Sequence, residues 1–317
     1  MIHSYLVYGL RITADTALPL TPIESSAIPD LRCTLRAEPG SVVPSTKPWY
    51  VSEWPAESGL PSLRIWRDGA GRYTLVYADG TRFDVSDAGR NLAVYQPPGS
   101  SFEDTLYYLT GPVFGFALRL LGWTALHGST VARGGRAICF VGGSGAGKST
   151  LACALCQEGF RLVAEDISAL DTTDSVRVAP GRPRIHLWPD AATALLGERH
   201  GLNPLTPSWD KLYFDAKPRA GPALLDCVYV LGAREAGAGV PRIEPMPPRE
   251  RLMALLANAY MNYLPENRWR ARDLDVLSRV AEDVQVRRLV TRADLSGIRE
   301  TCRLIERDGT EPRDRSG

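Results

Sequence analysis

The stretch Gly142, Gly143, Ser144, Gly145, Ala146, Gly147, Lys148, Ser149, Thr150 satisfies the pattern Gly-x4-Gly-Lys-Ser, which is built to hold phosphate. Its glycines let backbone N–H groups turn inward around phosphate oxygens. A following helix adds partial positive charge, Lys148 adds a full one, and Ser149 offers a hydroxyl to Mg2+. Holding phosphate is not transferring it, and transfer also needs a carboxylate at the end of an apolar strand. The run RLVAED supplies Glu165 and Asp166, only 17 and 18 residues after Lys148. Neighbours on a continuous strand point to opposite faces, so one acid would serve the metal and the other the acceptor. The spacing leaves open which does which.

Three further side chains join these candidates. His127 precedes the short run STVA and a Gly134-Gly135 turn that predicts a hairpin against ICFV, returning His127 towards the mouth of the loop. Arg184 is a candidate clamp for phosphate or acceptor, because a guanidinium suits bidentate recognition of such groups, and Lys211 is a second. His186, two residues from Arg184, shares its face on a strand and reads as packing.

These residues need a frame. RAICFV reads as a buried strand entering the loop, STLACALCQEG as a short helix stopped by Gly159, and FRLVAEDISALD as a further strand. Upstream, LRIWRDGAGRYTLVYADGTRFDVSD alternates apolar and polar residues between turn signals and predicts consecutive hairpins. Residues 36–62 read as a long Pro/Ser-rich loop, 101–122 as a helix joining two halves, and 172–222 as long active-site loops. A strand at 224–233, a helix over 249–264, a helix in LDVLSRVAEDV and a strand in VQVRRLVT complete the reading. The expected division is a β-rich domain over 1–105, a catalytic domain over 106–302 and a frayed tail over 303–317.

Composition restricts the partners. The 317 residues carry a net charge of +1, so no global field points to nucleic acid or a membrane surface. The most apolar run is interrupted by Arg119 and is too short to span a bilayer, and the start lacks the pattern of a signal peptide. A cytoplasmic location is expected, with the six cysteines as free thiols and the Cys153/Cys156 pair packing a helix.

The run LHGSTVARGGRAICFVGGSGAGKSTLACALCQEGFRLVAEDISAL resembles the catalytic domain of HPr serine kinases, over about residues 126–171 and more weakly through 111–302. The resemblance implies an α/β fold, with a P-loop domain of the HPr kinase/phosphoenolpyruvate carboxykinase type behind a β-rich N-terminal domain. It implies ATP and Mg2+ as cofactors, Lys148 on phosphate, Ser149 on the metal, His127 near the reacting phosphate, and one of Glu165 and Asp166 deprotonating the acceptor serine, with Asp166 alternatively on the metal. Glu165 and Asp166 stand where the family has two aspartates, so one arm is longer by a methylene. In place of the family's Gly-rich signature for HPr binding stands PGRPRIHLWPDA. That segment, with the opening YLVYGLRITADTALPL, is more similar to HPr-kinase-like enzymes that phosphorylate a serine of lasso-type precursor peptides.

The expected function is therefore an ATP-dependent serine kinase acting on a peptide or small protein, with homo-oligomers implied by the family's habit. Three alternatives remain open at this level: a nucleotide-sensing module without transfer, a small-molecule kinase, and a true HPr kinase.

Overall fold

A computed structural model of the chain describes residues 1–36, 43–197, 202–206, 209–232, 234–236 and 240–308. Part of the expected loop at 36–62, parts of the 172–222 passage and most of the expected tail lie outside the described residues. The molecule is a mixed α/β structure with two large sheets and one small one.

The first sheet contains β1 (His3–Val7), β2 (Leu10–Ala14), β3 (Leu31–Arg36), β4 (Tyr50–Val51), β5 (Leu63–Arg67), β6 (Tyr73–Tyr77), β7 (Arg82–Ser86) and β8 (Asn91–Tyr95). Their order is β1-β2-β3-β8-β7-β6-β5-β4, and the expected hairpins are the antiparallel run β5-β6-β7. Alternation sends Ile12, Leu31, Ile65, Leu75, Phe83 and Val94 to one buried face.

That face packs on α1 (Phe102–Tyr108) and α2 (Phe114–Leu120). The sequence predicted one helix here, but a wide turn at Leu109–Val113 divides it. Gly111 leaves helical geometry, and Pro112 has no N–H for the helical ladder. Arg119, which interrupts the apolar run, is buried and donates to Asp273 at 2.7 Å and to the Tyr260 carbonyl at 2.8 Å.

The second sheet is built from β9 (Thr124–Arg133), β10 (Arg136–Val141), β11 (Arg161–Ala164), β12 (Ile167–Asp171) and β13 (Arg177–Val178), with later partners. A small third sheet pairs β14 (Arg184–Leu187) and β15 (Asn203–Thr206) with β16 (Trp209–Asp215). β17 (Ala223–Leu231), β18 (Arg242–Pro245) and β19 (Gln285–Val290) complete the second sheet. Because β10 pairs with both β9 and β17, strands β10, β9, β12, β13 and β17 close a ring. β10, β17 and β19 run parallel, so their carboxyl ends meet at one edge.

The remaining helices are α3 (Lys148–Gln157), α4 (Pro189–Leu196), α5 (Pro248–Ala257), α6 (Asn267–Asp283) and α7 (Ile298–Asp308). Two expectations change. The 172–222 passage carries β13, β14, α4, β15 and β16 rather than long loops alone. The helix predicted over 249–264 ends at Ala257, because the next residues hydrogen-bond to the edge of β9: the His127 N–H donates to the Asn258 carbonyl and the Tyr260 N–H to Ala125. No helix among the described residues is long and apolar enough to cross a membrane. All six cysteines are free, and burial raises the Cys153 and Cys156 thiols to about 12.

Candidate functional site

The glycine-rich loop leaves the carboxyl end of β10 and enters α3, with Gly143, Ser144 and Gly145 exposed at its crown. Gly142 turns sharply with φ +152°, and a Cβ there would meet the Leu231 carbonyl at 3.0 Å. Gly147 precedes the helix at φ +103° with no side-chain cap, so the first-turn N–H groups of α3 stay free for an anion. Lys148 curls back over the loop, its Nζ donating to the carbonyls of Gly142 at 2.8 Å and Gly143 at 3.0 Å. Burial lowers its ammonium pKa, while Asp166 and Glu165 pull the other way. Ala146 and Thr150 line a cavity of about 30 Å³ behind the loop, together with Arg234, Arg292, Leu295 and Ile298. Arg234 also donates to the Gly145 carbonyl at 2.9 Å.

The two acids separate because the strand breaks between them. Asp166 adopts φ +68°, and the Ile167 N–H donates to the Glu165 carbonyl at 2.8 Å across it. That bond closes a three-residue turn of the rare positive-φ kind, a conformation kept only where its surroundings enforce it. β11 therefore ends at Ala164 and β12 starts at Ile167, with the two carboxylates aimed at different partners.

Glu165 goes inward. It is 2% exposed, and its Oε1 accepts the Ser149 hydroxyl at 2.5 Å. The second oxygen, Oε2, is buried and has no hydrogen-bond partner at ordinary distance among the described residues, although the Ser129 hydroxyl is near enough to favour the ionised carboxyl. Burial raises this carboxyl, with the Ser149 bond opposing. Asp166 goes outward to His127, with Nδ1 and Oδ1 3.1 Å apart and both side chains partly exposed. Burial pushes Asp166 up, but the His127 hydrogen bond and charge outweigh it, helped by Arg182 and His186, and hold the carboxyl well below its ordinary range.

His127 reaches Asp166 through register. It lies inside β9 opposite Ile167 of β12, rather than ahead of the strand as the sequence suggested. Its neighbour Gly128 has to be glycine, since a Cβ would lie 2.7 Å from the Phe140 carbonyl and 2.9 Å from Cys139 Sγ.

The clamp candidates divide. Arg184 pairs with Asp215 at 3.0 Å and stacks over Tyr213. Lys211 rests over Trp188, near enough to Lys148 and His186 to push both pKa values down. His186 is buried, its Nε2 has no partner among the described residues, and desolvation with Arg182 lowers its pKa to about 3.

The residue that sequence reasoning passed over is Arg182. It is 4% exposed, stacks over Tyr107, and donates from Nη1 to Thr110 Oγ1 at 3.2 Å. Among the described residues its Nε and Nη2 have no hydrogen-bond partner at ordinary distance, although the Tyr8 phenol lies near enough to feel its charge. A buried guanidinium with two idle donors beside Asp166 is a cation held ready for negative charge.

Taken together, the loop presents anion donors, a carboxylate–hydroxyl pair lies under it, and a His–Asp pair and a buried arginine stand alongside. The unpartnered Glu165 Oε2 and the Ser149 hydroxyl are hard oxygen donors of the kind Mg2+ takes, so the residues fit that ion.

No family model matches the chain, and no curated protein does. Among solved structures the chain is similar to the Hpr(Ser) kinase/phosphatase from Coxiella burnetii, at 11% identity and a TM-score of 0.30, covering 58% of this chain and 89% of that one.

Proposed function

We propose that this chain is an ATP- and Mg2+-dependent kinase of the HPr kinase/phosphoenolpyruvate carboxykinase type that phosphorylates a serine hydroxyl on a peptide or small protein, such as a lasso-type precursor. The observation that carries this reading is the separation of two adjacent acids: Glu165 onto Ser149 beneath the phosphate loop, and Asp166 onto His127 beside it.

ATP would supply the phosphoryl group, and Mg2+ would neutralise charge on its phosphates. Lys148, the free N–H groups of the loop and the start of α3 bind the phosphates, with Lys148 exchanging its two carbonyl partners for phosphate oxygens. Ser149 and Glu165 would hold the metal. Asp166 accepts the proton as the serine O–H bond breaks, while the new O–P bond forms and the bond to the leaving diphosphate opens. His127 orients Asp166 and keeps it ionised at neutral pH. So acidic a carboxylate is a weak base, but phosphoryl transfer depends mainly on position and charge, so aiming the hydroxyl matters more than basicity. Arg182 answers the negative charge that gathers there.

Mass spectrometry of serine-bearing peptides incubated with the protein, ATP and Mg2+ tests the reading. Peptides should gain one phosphate with the native chain and none with Lys148→Ala. Equal gain with both proteins, or none with any peptide despite tight ATP binding, would overturn it.

A further inference from the structure

Away from the site, one face of the first sheet carries charge that the described chain does not answer. Strand register places Arg64, Val76, Arg82, Tyr95 and Arg36 side by side in one row across five strands. Arg32 follows on the same face, four residues from Arg36 along β3, and the opposite face is the buried one. A flat sheet face open to water leaves such residues exposed. Here Trp66 is 6% exposed, Val76 and Arg82 4% and Tyr95 5%. Trp66, Arg82 and Tyr95 line a groove of about 1060 Å³, walled on one side by Pro44, Thr46 and Lys47, where the Thr46 carbonyl accepts Trp66 Nε1. That volume sits at the upper limit of small-molecule clefts, about 300–1,000 Å³.

The groove is lined by six basic side chains against two acidic ones, in a molecule whose net charge is +1. Arg82 is paired with Asp84, Arg72 with Asp68, and Arg67 with Glu266 from the other half of the chain. Arg32, Arg36 and Lys47 are exposed and have no carboxylate partner among the described residues; Arg36 reaches only the Tyr95 hydroxyl, at 3.4 Å. Unanswered cations around a concave floor of aromatic and hydroxyl groups attract an anionic ligand long enough to span them.

We propose that this groove is the docking site for an acidic, extended segment of a partner protein. Guanidinium forks match carboxylates in pairs, and Thr34, Ser86 and Asn91 offer neutral hydrogen bonds that suit a peptide backbone. A nucleic acid fits less well, because a molecule whose net charge is only +1 has no broad positive field to hold a polyphosphate chain. The surface stands on charge and shape alone, so its test reads binding with no nucleotide present and is separate from the test of phosphoryl transfer.

Fluorescence anisotropy with the full chain decides it. The probe is a labelled peptide of about ten residues, long enough to extend over roughly 33 Å, alternating Asp and Glu with Gly and Ser. A control replaces the acids with Asn and Gln. The acidic peptide should bind about tenfold more tightly or better, and added salt should weaken it. The double variant Arg32→Glu/Arg36→Glu should lose about tenfold or more while keeping its circular dichroism and melting temperature. If the double variant does not fold, Arg32→Gln and Arg36→Gln singly should each lose about threefold. Equal binding of both peptides, or native affinity in the folded variants, would overturn the proposal. So would tighter binding of oligothymidylate, or of vesicles rich in phosphatidylserine, than of the acidic peptide.

Discussion

Glu165 and Asp166 are neighbours in the chain, yet one carboxyl is raised by burial and the other held down by His127. A raised carboxyl keeps its proton longer in the folded chain, so folded stability falls as pH rises through that range. Glu165→Gln keeps an oxygen for Ser149 and removes the buried charge. Without nucleotide or metal at pH 7.5 it should melt about 1–3 °C above the native chain, and calorimetry checks this; it should also lose Mg2+-dependent nucleotide binding. His186 has the opposite sign. Held neutral with a pKa of about 3, it binds a proton in the unfolded chain from about pH 6.5 downward. Stability is lost as pH falls through that window, and His186→Gln should show a smaller drop in melting temperature between pH 7 and pH 5. Much of the site was legible, because Lys148, Ser149, Glu165, Asp166 and His127 are close in sequence and linked by short elements. Arg182 was not, since its slot is built by Tyr107 and Thr110, far from it in the chain, and by the turn that divides the helix there.

At the level of elements, β9 organises the site. It pairs with β10, β11 and β12 and is bonded on a free edge by residues 258–260, so any shift in it moves His127. Gly128→Ala forces a Cβ against the Phe140 carbonyl, which backbone cannot yield cheaply. The expected cost is about 2–4 kcal/mol, read by urea denaturation, with weaker activity at temperatures where the variant is still folded. Hairpins and buried strands were readable because their alternation and turn residues are local. The ends of elements were not. The chain past Ala257 has helical periodicity but leaves the helix to bond β9, and Pro112 with Gly111 divides what periodicity alone joined. In both cases tertiary hydrogen bonding or a missing donor overrode the pattern.

Across the whole molecule, the first sheet and the site share one core. Phe83, Phe114 and Phe116 pack in the same cluster as Ala125, Ile167 and Tyr260, and Arg119 ties α2 to α6 through Asp273. Asp273→Ala would leave that buried guanidinium without its carboxylate, at about 3–5 kcal/mol. Heating should show one calorimetric transition for sheet and site together, and two resolved transitions would contradict the shared core. The sequence divides the chain by composition near residue 105, and composition does not report which apolar faces meet. On the proposed mechanism the two acids divide metal binding from proton acceptance between them. That division is tested most directly in Asp166→Asn, by measuring ATP affinity in Mg2+ and the single-turnover rate of peptide phosphorylation on the same preparation. The division predicts affinity within about threefold of native and a rate lower by about 100-fold or more. A native rate, or an ATP affinity that falls as far as the rate does, would contradict it.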